Sequence, residues 1–378
     1  MIIQSKRVFI ENKLVPAQLL IEEGKIKKIL DYGKEPVDAD YGNDRILPGF
    51  YDVHTHGFEG FDTNDGTSDG LRHWLRELPK EGVCGICPTT ITQSKEVLLK
   101  ALQNIANVYH SEYDGAEILG IHFEGPYISK EYKGAQPEQY IVKPNVDEFI
   151  EYQNVAKGLI KIITVAPECD EDHNFIKYCS KNNVRVSIGH SSVSFDQAFQ
   201  AIKNGAKSFT HTYNGMPPFH HRKKGLVEAS LLSNDAYSEI ICDGNHTTIN
   251  ALKVFFRCKK KNKTIMISDS LLAKNMPKGS KLYSGGLEIY VADDGSCHLV
   301  ETNSLAGSTL RINQGLRLLV EEAGVDFAEA LCSCTINPAT YLGLGDHKGI
   351  LKENYDADIT ILDDEYNVIN TYCKGKKY

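Results

Sequence analysis

Apolar and polar positions change rhythm twice along this chain. Residues 1 to about 48 alternate in short runs, such as RVFI, AQLLIEE and KIKKIL, broken at Asn12, Gly24 and Gly33. Period-two alternation between turn residues predicts short antiparallel strands. The end of the chain returns to that style in Ala357-Asp358-Ile359-Thr360-Ile361-Leu362 and then from Tyr366 to Tyr372. The two ends are expected to pair into one small β-sandwich domain, residues 1–48 plus 346–378.

Residues 49–345 behave differently. Apolar runs of four to seven residues recur there between helical stretches. That is the pattern of buried parallel strands joined by crossover helices. Eight runs end near Val53, Thr89, Phe123, Val165, Ile188, Thr210, Cys242 and Ile267. The helix after the fifth is the plainest. Phe195, Ala198, Phe199 and Ile202 fall at i, i+3, i+4 and i+7, with Ser194 to cap it and Gly205 to stop it. Eight strand–helix units predict an α/β fold closed as a (β/α)8 TIM-type barrel rather than an open sheet. Residues 279–300 interrupt the rhythm, and Leu287-Glu288-Ile289-Tyr290 turning at Asp293-Asp294-Gly295 reads as a hairpin.

Composition narrows the class of function. A length of 378 residues suits a barrel of about 250 residues plus a smaller unit. Lys and Arg number 42 against 50 Asp and Glu, a net charge of −8. Nucleic acid is therefore not an expected partner, because an acidic surface repels its phosphates. A local basic pocket can still hold a phosphorylated small molecule. No run approaches about 18 apolar residues, so no membrane span is expected. The opening MIIQSKRVFI lacks the apolar core of a secretory signal, which makes the cytoplasm the expected location. The ten cysteines then read as free thiols. Cys84-Gly85-Ile86-Cys87 lies inside an apolar run and is assigned to the core, since a redox C-x-x-C would open a helix.

In such a barrel the C-terminal strand ends carry the chemistry. Here they read His54-Thr55-His56, His122-Phe123-Glu124-Gly125-Pro126, Gly189-His190-Ser191, Thr210-His211-Thr212, Asp243-Gly244-Asn245-His246 and Ser268-Asp269-Ser270. One strand-end histidine by itself is usually a hydrogen-bonded polar residue. Recurrence on separate strands points instead to a shared metal site. Neutral imidazole and carboxylate suit zinc or ferrous iron. Both histidines of an H-x-H on a strand face the same way. A metal brings the pKa of water toward neutrality, and Asp269 is placed to move the proton.

PGFYDVHTHG, HFEGPYIS, IGHSSVSFDQA, THTYNGMPPFHHR, DGNH, SDS, LAGS and NPATYLGL occur in that order. With the ADITILD ending they resemble the N-acetylglucosamine-6-phosphate deacetylases of the amidohydrolase superfamily, over nearly the whole chain. The resemblance implies hydrolysis of N-acetylglucosamine 6-phosphate to glucosamine 6-phosphate and acetate. It implies a divalent metal on Glu124, His190 and His211, zinc first and ferrous iron second. Asp269 becomes the general base toward water and then the acid toward the departing amine. Asn214 and Gly215 are implied on the phosphate side of the substrate, Arg222 and His246 as a phosphate-binding pair, and Leu305-Ala306-Gly307-Ser308 as a loop over the sugar. One basic residue of such enzymes can come from a second subunit, so a homodimer is implied. His54 and His56 leave open a second metal bridged by Glu124, hence one or two ions per subunit.

Some positions depart from the family pattern. Gly134-Ala135-Gln136 stands where Gly-Ala-His is usual, and glutamine donates a hydrogen bond but cannot carry charge. Asn214-Gly215-Met216 replaces Asn-Ala-Met, and Leu271-Leu272-Ala273-Lys274 is bulkier than the usual stretch. Ala135 and Gln136 are still expected to touch substrate, and N-acetylgalactosamine 6-phosphate is the alternative substrate. Two other readings compete with this one. A cyclic-amide hydrolase or deaminase would want a lysine at the fourth strand end, which Thr164-Val165-Ala166-Pro167-Glu168 lacks. A weakly catalytic sugar-phosphate binder is suggested by Gln136 but opposed by Asp269, because a binder needs no proton shuttle. His220 and His221 are placed on an exposed loop.

Overall fold

The computed structural model describes residues 1–378. The eight expected runs are its barrel strands: Phe50–Thr55, Val83–Thr90, Ile121–Glu124, Ile160–Val165, Arg185–Ile188, Ser208–Phe209, Tyr237–Ile241 and Thr264–Ile267. They pair in parallel from first to eighth. The eighth returns to the first through the Asp269 N–H, which donates to His54 O at 2.9 Å, and the His56 N–H, which donates to Ser270 O at 2.8 Å.

Strand parity sorts the side chains. Phe123, Ile163, Val165, Val186, Ile188 and Phe209 point outward into a core of 61 buried residues shared with the helices. Their neighbours His122, Glu124, Thr164, Ser187 and Thr210 point inward, as period two requires. The interior is layered. Val53, Cys87, Ile162, Ile241, Ile265 and Ile267 form an apolar floor. Thr164 Oγ1 lies 2.8 Å from His122 Nε2 and 2.9 Å from Thr210 Oγ1, which donates to Ser187 Oγ at 2.7 Å. This buried polar layer supports the residues at the rim.

The helix Phe195–Lys203 begins at Ser194, whose side chain and that of Gln197 form a reciprocal capping box. Phe195 and Phe199 stack at 4.5 Å and, partly buried, pack against the main core, while Ala198 and Ala201 are fully buried. Cys84 and Cys87 are buried within the second barrel strand, and all ten cysteines are free.

The chain ends do meet, since Arg45–Pro48 pairs antiparallel with Ile359–Leu362. Seven strands follow one hydrogen-bonded path from Lys376–Lys377 to Lys25–Asp31, and an eighth, Ala39–Asp40, pairs with Ile2–Ile10 off that path. Ile3, Leu19 and Ile26 share a core with Ile359, Ile361 and Tyr372. The two layers are therefore halves of one continuous sheet rolled over that core. Phe9, Leu47, Leu362 and Tyr366 join the main core and seat this unit on the barrel.

The expected hairpin pairs Leu287–Val291 with Cys297–Leu299. A further strand, Lys281–Ser284, turns into it at Gly285-Gly286 and makes a three-stranded sheet. Ile289, Val291 and Cys297 pack on Leu271, Leu272, Ala273 and Ala306, which places this sheet over the rim. Below it, buried Lys274 forms an ion pair with buried Glu81, Nζ to Oε2 2.5 Å, and so ties down the Leu271–Lys274 segment. Glu81→Gln leaves that ammonium without its counter-charge. The expected loss of stability is about 3–5 kcal/mol by denaturant unfolding, and a loss under about 1 kcal/mol would show the pair to be incidental.

Candidate active site

Four imidazoles and two carboxylates converge at the C-terminal end of the barrel. Glu124 arrives there with inward strand parity, and His54 and His56 arrive through the register shift of the first strand between Asp52 and Thr55. His190, His211 and Asp269 sit just past their strands at φ of +47°, +29° and +50°. Such left-handed conformations cost of order 1–3 kcal/mol each in a residue with a Cβ. The tight turns they make aim the side chains across the barrel axis.

Glu124 is the hub. Its Oε1 lies 3.2 Å from His211 Nε2 and 3.3 Å from His190 Nε2. It lies 3.4 Å from His54 Nε2, and Oε2 lies 3.5 Å from His56 Nε2. On the far side, Asp269 Oδ1 is 3.1 Å from His56 Nε2 and 3.4 Å from His54 Nε2. Glu124, His190 and His211 thus form one possible ligand set, and His54, His56 and Asp269 a second.

Every one of these rings has its other nitrogen engaged. His190 Nδ1 is 2.8 Å from Tyr132 O, His211 Nδ1 3.0 Å from Asn214 O and His56 Nδ1 3.1 Å from Thr89 O. His54 Nδ1 is 3.0 Å from Glu239 Oε2. A carbonyl or carboxylate oxygen only accepts, so Nδ1 carries the proton and Nε2 offers a lone pair to the site. His190 and His211 hold their Nε2 atoms 3.1 Å apart, and His54 and His56 hold theirs 3.2 Å apart. Lone pairs that close repel unless a cation lies between them. The donor set therefore fits a divalent ion of the zinc or ferrous type.

With no cation between them, the same rings take up protons shared with the carboxylates. Burial alone would raise the Glu124 carboxyl, but the charge of protonated His54 and His190 and hydrogen bonds from His190 and His211 outweigh it and hold it well below the usual carboxylate range. Burial likewise opposes, and His54, His56 and His211 override, so that the Asp269 carboxyl is held down to about 2. Asp269 is thus a charged base at neutral pH.

The cavity beside this cluster is lined by Gly134, Ala135, Gln136, Asn214, Gly215, His246, Leu271, Leu305, Ala306 and Gly307. Gln136 Oε1 accepts from the Thr92 N–H at 2.9 Å, which fixes the orientation of the amide. Its Nε2 donates to Glu124 Oε2 at 3.1 Å and lies 3.3 Å from His190 Nε2. The residue expected near the substrate also braces the ligand carboxylate. Asn214 Nδ2 is buried with no partner inside the chain, a donor left over for a ligand. His246 is raised by its carboxylate neighbour Asp243, against the effect of burial, and its Nδ1 is 2.7 Å from Asp243 Oδ2. It can therefore present a positive edge to an anion.

Gly215 has φ +60°, and a Cβ there would lie 3.0 Å from His190 Nδ1. Gly215→Ala meets both backbone strain and a displaced ligand. The expected result is about 1–2 kcal/mol lost in thermal unfolding together with a drop in bound metal. Unchanged metal content would show that His190 tolerates the push.

Arg222 is not brought into the cavity of its own chain. It lies exposed on the loop after Met216, where its N–H donates to His220 Nδ1 at 3.2 Å. His220 and His221 stack on each other on the same exposed loop. Sequence reasoning missed Glu239 and Thr92, and named Asp243 at its strand end without giving it a role. Glu239 carried a usable signal, because a lone carboxylate in the buried strand Tyr237–Ile241 is costly unless it is paired.

The model of the amidohydrolase family matches residues 45–377. N-acetylglucosamine-6-phosphate deacetylase of Bacillus subtilis (strain 168) is 34% identical over 99% of this chain and 96% of its own length. N-acetylgalactosamine-6-phosphate deacetylase of Escherichia coli O157:H7 is 31% identical over 99% of this chain and 98% of its own. Among solved structures, a mutant of N-acetyl-D-glucosamine-6-phosphate deacetylase from Mycobacterium smegmatis, in complex with N-acetyl-D-glucosamine-6-phosphate, superposes with a TM-score of 0.94. It is 26% identical and covers 100% of this chain and 98% of that one. With a family match across the whole barrel and relatives of this identity along nearly its full length, this chain belongs to the amidohydrolase family.

Proposed function

We propose that this chain hydrolyses the N-acetyl amide of an amino-sugar 6-phosphate, with N-acetylglucosamine 6-phosphate as the leading substrate. The observation that carries the reading is the anionic Asp269 facing the Glu124–His190–His211 ligand set across one cavity. The Bacillus subtilis relative is named for that reaction, and the Mycobacterium smegmatis structure holds that sugar phosphate. Glu124, His190 and His211 would hold a divalent ion, which would supply Lewis acidity toward the amide carbonyl and a lowered pKa for water beside it. Asp269 takes the proton from the attacking water and passes it to the amine as the amide C–N bond breaks. Gln136 Nε2 and the side chain of Asn214 supply neutral donors to the polar groups of the substrate. His246 meets the phosphate end, and Leu305, Ala306 and Gly307 close over the sugar and exclude water.

We read His54, His56 and Asp269 as a second ion position, with Glu124 shared between the two. Zinc and ferrous iron both suit this set of nitrogen and oxygen ligands. Arg222 serves a neighbouring copy in a homodimer, because its exposed loop reaches out from the rim with Phe219 61% exposed beside it. The ten free thiols fit a reducing compartment, the cytoplasm. No helix is long and apolar enough to cross a membrane.

N-acetylgalactosamine 6-phosphate is the second reading, supported by the Escherichia coli relative. Acetate release from the two sugar phosphates, measured side by side, decides between them. Release that stops on chelation and returns with added metal supports the deacetylase. No release from either by metal-loaded protein would reject both.

A further inference from the structure

We propose that Glu239 is a positioning residue that sets how tightly His54 holds the second divalent ion. The inference rests on the two-ion reading above. Glu239 and His54 are both fully buried, inside the barrel and beneath the rim. Glu239 Oε2 lies 3.0 Å from His54 Nδ1 and also accepts the His211 N–H at 3.3 Å. One carboxylate oxygen thus ties a ring of one ligand set to the backbone of the other. Oε1 has no hydrogen-bond partner at all.

A structural role explains this badly. A buried carboxylate with half its acceptors unused is destabilising, and an amide or apolar residue would cost less in the same space. The arrangement makes sense when His54 Nε2 faces a cation. A carboxylate on Nδ1 fixes the tautomer, orients the ring and raises the basicity of Nε2. The charges also balance better with two ions. Two divalent cations bring four positive charges, against three negative ones from Glu124, Asp269 and Glu239. The small positive remainder suits an anionic substrate.

The test uses the full chain, stripped of metal and titrated with Zn2+ by calorimetry, with ion content counted after gel filtration. Wild type is expected to hold two ions per chain. Glu239→Gln keeps the hydrogen bond to His54 but loses the charge. It is expected to hold the first ion within about threefold of wild type and the second about 10–100-fold more weakly. Two ions bound by Glu239→Gln as tightly as by wild type would overturn the role of Glu239 and leave the two-ion reading standing. A single ion in wild type would overturn both. Should the variant fail to fold, zinc-loaded wild type labelled with 15N-histidine gives the answer through its two-bond 15N–1H spectrum. His54 protonated at Nδ1 supports the proposal, and His54 protonated at Nε2 rejects it.

Discussion

Asp269→Asn is expected to lower kcat for amide hydrolysis by about 10²–10⁴-fold while substrate binding stays within a few-fold of the parent. Asparagine keeps the shape of aspartate and can still lie against His56, 3.1 Å away in the parent. It cannot accept the proton of the attacking water. The neighbouring histidines hold the Asp269 carboxyl at about 2, so the parent presents a charged base across the neutral range and the variant presents none. Asp269 also belongs to the second ligand set, so ion content must be measured alongside turnover. Turnover within tenfold of the parent, with substrate bound and metal present, would remove Asp269 as the base. Loss of turnover with loss of metal alone would make it a ligand first.

Removing the metal should be felt in stability as well as in rate. A ligand present at 100 to 1,000 times its Kd stabilises the folded chain by about 2.7–4.1 kcal/mol. For a chain of this length that is roughly 3–5 °C in Tm. Chelation of wild type is expected to produce such a drop and to abolish hydrolysis, and added zinc or ferrous iron to reverse both. Glu124→Gln is the matching variant. Glu124 stands 3.2–3.5 Å from all four imidazoles, so its charge serves both ligand sets. The variant should lose most of its bound metal, and chelation should then leave its Tm unmoved. A variant with full metal content and full turnover would show that the histidines suffice without the hub. A Tm that falls on chelation while hydrolysis continues would mean that the metal is structural.

The barrel was legible because each strand announces itself locally. A buried parallel strand needs apolar residues on both faces, and eight such runs with helical spacing between them have few other solutions. The site residues were legible for a related reason. His54, Glu124, His190, His211 and Asp269 break their apolar runs at the same place in successive strands, which are the positions a closed barrel brings together. The inner polar layer was harder to see. Thr164, Thr210 and Ser187 look in sequence like ordinary strand residues. Only the inward parity of strands packed side by side makes them a hydrogen-bonded layer under the metal site. The extra strand Lys281–Ser284 was hidden because a two-glycine turn and a weakly apolar segment give a weak signal.

Sequence alone therefore determined the barrel, the meeting of both chain ends in one small β unit and the residue types at the strand ends, whereas the rolling of that unit into one continuous sheet was decided by tertiary pairing. Local periodicity and composition carry that information, and the order of the motifs carries the family. Tertiary structure alone decided which atoms face one another. It turned Gln136 onto Glu124 through the Thr92 N–H, placed Glu239 behind His54 and kept Arg222 outside the cavity of its own chain. Those contacts join residues from 12 to 185 positions apart along the chain. They depend on strand register and turn geometry, which a one-dimensional pattern does not encode, so their consequences for metal affinity and proton transfer appear only once the barrel closes.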